Sequence, residues 1–169
     1  MDSCVSPKTA ILISKLGGLG VLNLQGIYTR YENYEDILKQ ITEADRDSFV
    51  PLMQKLYQEP IKENLIEKRI KEIKDAGAIC AVSCTPNVAN HYGPMVEKLG
   101  ADILVVQGTV VSVEHKSNDK NSCFNLPDFI PKMKIPVIVG NCVTYDVALE
   151  HIKAGASAVL VGVGPGAAC

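Results

Sequence analysis

The chain has 169 residues, 47% of them hydrophobic, with 17 Lys and Arg against 19 Asp and Glu for a formal net charge of -2. That length and a mean hydropathy of +0.11 suffice for one substantial core. The near-neutral balance, with no Lys/Arg block, gives no footprint for nucleic acid or an anionic membrane, and the expected partner is a small molecule.

The N-terminus, Met1-Asp2-Ser3-Cys4, lacks a basic region followed by an apolar stretch, so no secretory signal is read there. The longest apolar runs, such as Ile135 to Val139 and Ala158 to Val163, are strand-sized and far short of the roughly 20 residues that span a bilayer. Six cysteines lie mostly within apolar runs without metal-ligand clustering, which favours reduced thiols; the expected compartment is the cytoplasm.

In chain order, strands are expected at about 18–24, 78–84, 102–107, 136–141 and 158–163. They are nearly continuous apolar runs, the pattern of parallel strands covered on both faces. Three junctions repeat: Lys74-Asp75-Ala76-Gly77-Ala78, Glu97-Lys98-Leu99-Gly100-Ala101 and Ile152-Lys153-Ala154-Gly155-Ala156. Each reads as a helix end with a left-handed Gly cap running directly into a strand, so the unit is βα, repeated.

Between Gly26 and Asp75 the rhythm changes. Helices are expected at about 34–44, 47–58 and 61–75, broken at Pro51 and Pro60, with no strand between them. Phe49, Leu52, Met53 and Leu56 form one core-facing stripe; Val88, Tyr92, Met95, Val96 and Leu99 form another. The charged run Glu67-Lys68-Arg69, with Lys71-Glu72, reads as a solvated helix face. Thr85-Pro86 places a capping hydroxyl before a Pro at the first helical position, and Thr144 caps a helix over 145–154. His91 is expected at a helix surface, and none of His91, His115 and His151 is assigned to catalysis.

The most specific stretch is Val161-Gly162-Val163-Gly164-Pro165-Gly166-Ala167-Ala168-Cys169, directly after the last strand. Its glycines let main-chain groups approach a ligand, at the strand end where barrel enzymes build their sites. The loop resembles the catalytic loop of IMP dehydrogenases and GMP reductases. The resemblance runs along the chain: Met1-Asp2-Ser3 is similar to the end of the family's first barrel strand, Gly17-Gly18-Leu19-Gly20-Val21-Leu22 to its second, and Pro136-Val137-Ile138-Val139-Gly140-Asn141 to its fifth. Gly26-Ile27-Tyr28-Thr29-Arg30-Tyr31-Glu32 and Glu59-Pro60-Ile61-Lys62 resemble a branch of IMP dehydrogenase-related proteins of photosynthetic and other bacteria. That branch carries short helices where standard IMP dehydrogenases carry a pair of CBS modules.

The resemblance implies an α/β fold, a partial TIM (β/α)8 barrel of about six of eight βα units in one incomplete domain over 1–169, with the helical insertion at about 26–75. A complete barrel runs to about 250 residues. The sequence is therefore expected to be a partial one, inactive alone, with the remaining acid/base groups beyond it.

The implied function is that of a purine nucleotide oxidoreductase: Cys169 attacks C2 of IMP, hydride passes to NAD, and a Cys thioimidate is hydrolysed to XMP. The alternatives are an NADPH-dependent GMP reductase, a non-catalytic nucleotide-binding relative, and a flavin barrel. By the same resemblance, Met1, Asn141, Gly164 and Gly166 contact the nucleotide, and Gln107, Gly108 and Thr109 line the cofactor site. The carbonyls of Gly164, Gly166 and Cys169 hold potassium, and the complete protein is a homotetramer. Two positions depart from the pattern: Ala167 replaces a phosphate-binding serine, and Gln107 stands where many members have Asp.

Overall fold

The computed structural model describes residues 4–108, 114–115 and 124–163. Its centre is a parallel sheet of five strands in the order β1-β2-β3-β6-β7: Val21–Asn23, Ala81–Cys84, Ile103–Gln107, Val137–Cys142 and Ala158–Val161. Each strand pairs with the next in the sheet, and successive strands are linked by helices, the winding of a (β/α) barrel. A separate antiparallel pair, β4 (Glu114–His115) with β5 (Phe124–Asn125), lies in the β3 to β6 connection.

The helices are α1 (Pro7–Lys15), α2 (Tyr34–Glu43), α3 (Phe49–Leu56), α4 (Glu63–Asp75), α5 (Pro86–Lys98), α6 (Leu126–Phe129) and α7 (Tyr145–Lys153). The register sets two faces. Leu22, Val82, Leu104 and Val137 lie side by side, as do Cys84, Val106 and Val139, and all are buried in the main core. Ile66, Ile70 and Ile73 of α4 and Ala89 and Val96 of α5 complete that core. The other face carries Asn23, Ser83 and Val105 in one row and Gln107 and Gly140 in the next. Polar side chains on it mark the interior and mouth of the barrel.

Gly77, Gly100 and Gly155 have φ of +70°, +89° and +99°, the left-handed caps expected from the repeated junction. Their amides close on Lys74, Glu97 and Ile152 carbonyls at 2.9 to 3.1 Å. At the same end Asp102 accepts from Lys74 Nζ at 2.7 and 2.8 Å and from the Cys80 amide at 2.8 Å, stapling the end of α4 to the starts of two strands.

Several expectations are corrected. The second-strand run is shorter than 18–24, because Gly18 still donates to Ile13 at the end of α1. Helix α1 itself was not foreseen; Ser6 caps it, its Oγ accepting from the Thr9 amide at 3.0 Å, with Pro7 at the first position. Pro51 does not break a helix: it sits in the first turn of α3, where an amide has no intrahelical partner to lose. Thr144 caps α7 as expected, accepting from Val147 N at 3.4 Å, whereas the Thr85 hydroxyl makes no cap bond and turns to Asn87.

The largest correction is Arg69. It is only 2% exposed, and its guanidinium donates to the carbonyls of Tyr28 (3.0 Å), Tyr31 (3.2 Å) and Glu32 (2.7 Å) and to Glu72 Oε1 (2.8 Å), while lying over the Tyr34 ring. Lys68, one residue away, does lie on an exposed face and pairs with Glu32. Arg69 therefore fastens the turn after β1 onto α4. The two segments carrying the branch resemblance also meet, since the Lys62 amide donates to the Thr29 carbonyl at 2.9 Å.

Candidate functional site

The carboxyl ends of β3 and β6 bring three of the expected site residues together. Gln107 ends β3, and its Nε2 lies 3.5 Å from Asn141 Oδ1. Gly108 follows; its amide donates to the Gly140 carbonyl at 2.9 Å, and its own carbonyl accepts from the Asn141 amide at 3.0 Å. The reciprocal pair continues the ladder one residue past β3 and fixes Asn141 in the mouth, where it is mostly buried. Because Gly108's amide is consumed in this way, it positions its neighbours and has no main-chain donor left for a ligand. Gln107 is exposed, and a 3.5 Å contact at the limit of hydrogen bonding is readily given up to a ligand.

Gly140 shows how tightly this corner is built. A Cβ there would lie 2.4 Å from Leu160 Cβ and 2.9 Å from the Leu160 carbonyl oxygen, so the approach of β6 to β7 excludes any side chain. The register shifts between Gly140 and Cys142 at the same place, and this bulge turns Asn141 relative to the regular ladder.

Next to this corner is a cleft of about 730 Å³, lined by Asn23, Gln25, Arg30, Tyr57, Ser83, Thr85 and Gln107 along with Cys4, Cys84 and the aliphatic residues Val5, Leu19 and Val21. Its polar lining comes from the ends of β1, β2 and β3, the face on which barrel enzymes carry their chemistry, together with the loop after β1 and Tyr57 at the end of α3. Gln25 Oε1 accepts from the Thr85 amide at 2.8 Å and links the loop after β1 to the start of α5. Arg30 is held by the carbonyls of Gln25 (3.2 Å), Tyr57 (3.4 Å) and Glu59, and its guanidinium lies over the Tyr57 ring at 5.2 Å.

Sequence reasoning singled out Gln107 but not Asn23, Gln25, Tyr57, Ser83 or Thr85, and it used Arg30 only as a mark of resemblance. The available signal was polar interruption of apolar strands: Asn23 within Val21 to Leu24 and Ser83 within Ala81 to Cys84 fall on the rows that face away from the helices. Of the other expected site residues, Met1, Thr109, Gly164, Gly166 and Cys169 lie outside the described residues, as does Ala167.

The described cysteines divide by environment. Cys4 is exposed, whereas Cys80, Cys84 and Cys142 are buried. Burial raises the thiol of Cys84 to about 12; burial, reinforced by the Asp102 carboxylate, does the same for Cys80. Neither is a nucleophile at neutral pH. His91 is exposed and pairs with Glu63 at 2.8 Å, a surface role as expected, while His151 is buried in α7. Among the described residues, no three His, Cys, Asp or Glu side chains cluster to hold a metal, and no helix is long and apolar enough to cross a membrane.

Comparison with known proteins agrees with this geometry. The family model for the IMP dehydrogenase/GMP reductase domain matches residues 1–169. An uncharacterised oxidoreductase of Mycobacterium tuberculosis is 36% identical over 168 residues, covering 96% of this chain and 44% of the relative. The inosine-5'-monophosphate dehydrogenase of Helicobacter pylori is 36% identical over a shorter stretch of 75 residues, 44% of this chain and 14% of that protein. The crystal structure of an IMP dehydrogenase/GMP reductase-like protein from Corynebacterium glutamicum superposes with a TM-score of 0.88 at 34% identity, over 97% of this chain and 44% of that one. The chain thus spans less than half the length of the relatives it matches from end to end, and its five-stranded sheet is part of a TIM barrel. In both sequence and fold, the chain belongs to the IMP dehydrogenase/GMP reductase family of oxidoreductases.

Proposed function

We propose that the protein carrying this chain is a purine nucleotide oxidoreductase of the IMP dehydrogenase type, converting IMP, NAD and water to XMP, NADH and a proton. The observation that supports it is the convergence of Gln107 and Asn141, locked by the Gly108 to Gly140 pair, beside a cleft at the barrel's catalytic face. In this reading the Cys169 thiolate adds to C2 of the hypoxanthine ring, and loss of hydride from C2 leaves a thioimidate. Water then hydrolyses the carbon–sulfur bond, releasing XMP and regenerating the thiol.

Asn141 orients the nucleotide, together with Met1 and the backbone of Gly164 and Gly166. Gln107, with Gly108 and Thr109 beside it, faces the cofactor. The described residues fit such a group, because the exposed Gln107 carboxamide can both donate and accept, and the cleft has the size of a small-molecule site. NAD, when bound, supplies the hydride acceptor. Potassium at the carbonyls of Gly164, Gly166 and Cys169, assembly as a homotetramer and a cytoplasmic location belong to the same proposal.

The test is an assay of the complete protein with IMP and NAD, following NADH, alongside GMP and NADPH, following NADPH loss. NADH formation abolished by Cys169→Ala supports the reading. Consumption of NADPH with GMP reassigns the direction to GMP reductase, and binding of IMP without turnover in either assay overturns the enzymatic reading altogether.

A further inference from the structure

Among the described residues that line the cleft, Arg30 is the one charged side chain. The other described polar groups around it, including Asn23, Gln25, Ser83, Thr85 and Gln107, are neutral at pH 7. Arg30 is anchored through Nε and Nη1, which donate to the three carbonyls named above. Among the described residues, Nη2 has no hydrogen-bond partner and no carboxylate pairs with the guanidinium. The group is thus fixed in direction and stacked on Tyr57.

A second feature has the same sign. Thr85 lines the cleft and is the N-cap of the thirteen-residue helix α5, so the positive end of that helix opens into the same space. Pro86 removes one amide there, and the Thr85 amide is held by Gln25, which supplies a side-chain amide at the rim. A preoriented guanidinium beside a helix N-terminus, with amide donors around it and no acid among the described lining residues, matches the charge and geometry of a phosphoryl group.

We propose that Arg30 is the phosphate-recognising residue of this cleft and that its ligand is a phosphate of the nicotinamide dinucleotide, bound with Gln107 on the nicotinamide side. This inference rests on the oxidoreductase reading above. It assigns to the segment Gly26 to Glu32, and to the helices that fix it, the task of cofactor selection.

The experiment uses the complete protein, wild type and with Arg30→Gln or Arg30→Lys, checked for folding by thermal melting. Losing a charge-assisted contact should raise the cofactor KM in Arg30→Gln by roughly ten- to a hundredfold, with the nucleotide KM within twofold and a partial recovery in Arg30→Lys. Inorganic phosphate and pyrophosphate should compete with the cofactor in the wild type and lose that effect in Arg30→Gln, a readout that a merely structural arginine would not move. An unchanged cofactor KM overturns the proposal, and so does a raised nucleotide KM, which would place the substrate's phosphate there instead. If Arg30→Gln does not fold, the wild-type competition and Arg30→Lys decide: no competition by either anion sinks the idea. Should the protein turn over neither nucleotide, calorimetric binding of pyrophosphate that Arg30→Gln removes would support the anion site while the reaction assignment fails; no binding would sink both.

Discussion

Arg69 offers the sharpest test of how this fold is held. Its guanidinium is almost fully buried and serves three backbone carbonyls, at Tyr28, Tyr31 and Glu32, besides Glu72 and the Tyr34 ring. Arg69→Met keeps the apolar stem but strands those carbonyls. Each stranded acceptor costs about 1 kcal/mol or more, and the lost cation–π contact about 1 kcal/mol, so the change should destabilise by about 3 to 5 kcal/mol. That is a fifth or more of the net stability of an ordinary domain, about 5 to 15 kcal/mol. Urea unfolding of the complete protein, followed by far-UV circular dichroism, measures it, with Lys68→Met as the control. Lys68 forms only an exposed pair with Glu32, and its loss should leave the unfolding curve close to that of the wild type. If Arg69→Met unfolds within 1 kcal/mol of the wild type, or no earlier than Lys68→Met, the claim that Arg69 fastens the β1 turn to α4 is wrong.

Asp102 and the cysteines give two further tests. Burial opposes ionisation of Asp102, but the Lys74 ammonium and the Cys80 amide outweigh it and hold the carboxyl below its ordinary 3.8. A depressed folded value stabilises at neutral pH and loses that contribution as pH falls from about 4 through the folded value. Asp102→Asn should therefore lower the melting temperature at pH 7 and converge on the wild type as pH falls through the depressed folded value; a constant offset across the acid range would refute the pairing. With thiols raised to about 12, Cys80 and Cys84 are only about one part in ten thousand thiolate at pH 8. Brief treatment with iodoacetamide followed by peptide mass spectrometry should modify the exposed Cys4 and spare Cys80, Cys84 and Cys142. Native labelling of Cys80 at the rate of Cys4 would contradict its burial.

The sheet was legible because both of its signals are local. A Gly at a left-handed cap followed by an apolar run needs no partner from elsewhere in the chain, and Gly77, Gly100 and Gly155 all behave in that way. Gln107 and Asn141 were legible through resemblance, and their proximity follows from the pairing of β3 with β6. Arg69 was misread because its surroundings in sequence are charged, while the carbonyls that bury it lie 37 to 41 residues earlier in a turn that no periodicity reports. Arg30 was underread for the same reason: the Tyr57 and Glu59 carbonyls and the cleft itself exist only after the insertion folds back. Pro51 shows the limit of reading proline as a breaker, since the first turn of a helix accepts it.

The staple of Lys74, Asp102 and the Cys80 amide lies at the amino ends of β2 and β3, opposite the strand ends that carry Thr85 and Gln107. By tying a helix end and two strand starts to one carboxylate, it makes the register of β2 and β3 independent of what happens at the other end. Loops at the mouth can then be lengthened, shortened or exchanged with little effect on whether the sheet forms, and ligand preference can drift among relatives while the scaffold stays recognisable. The helices between β1 and β2 are fastened to the turn after β1 through Arg30 and Arg69.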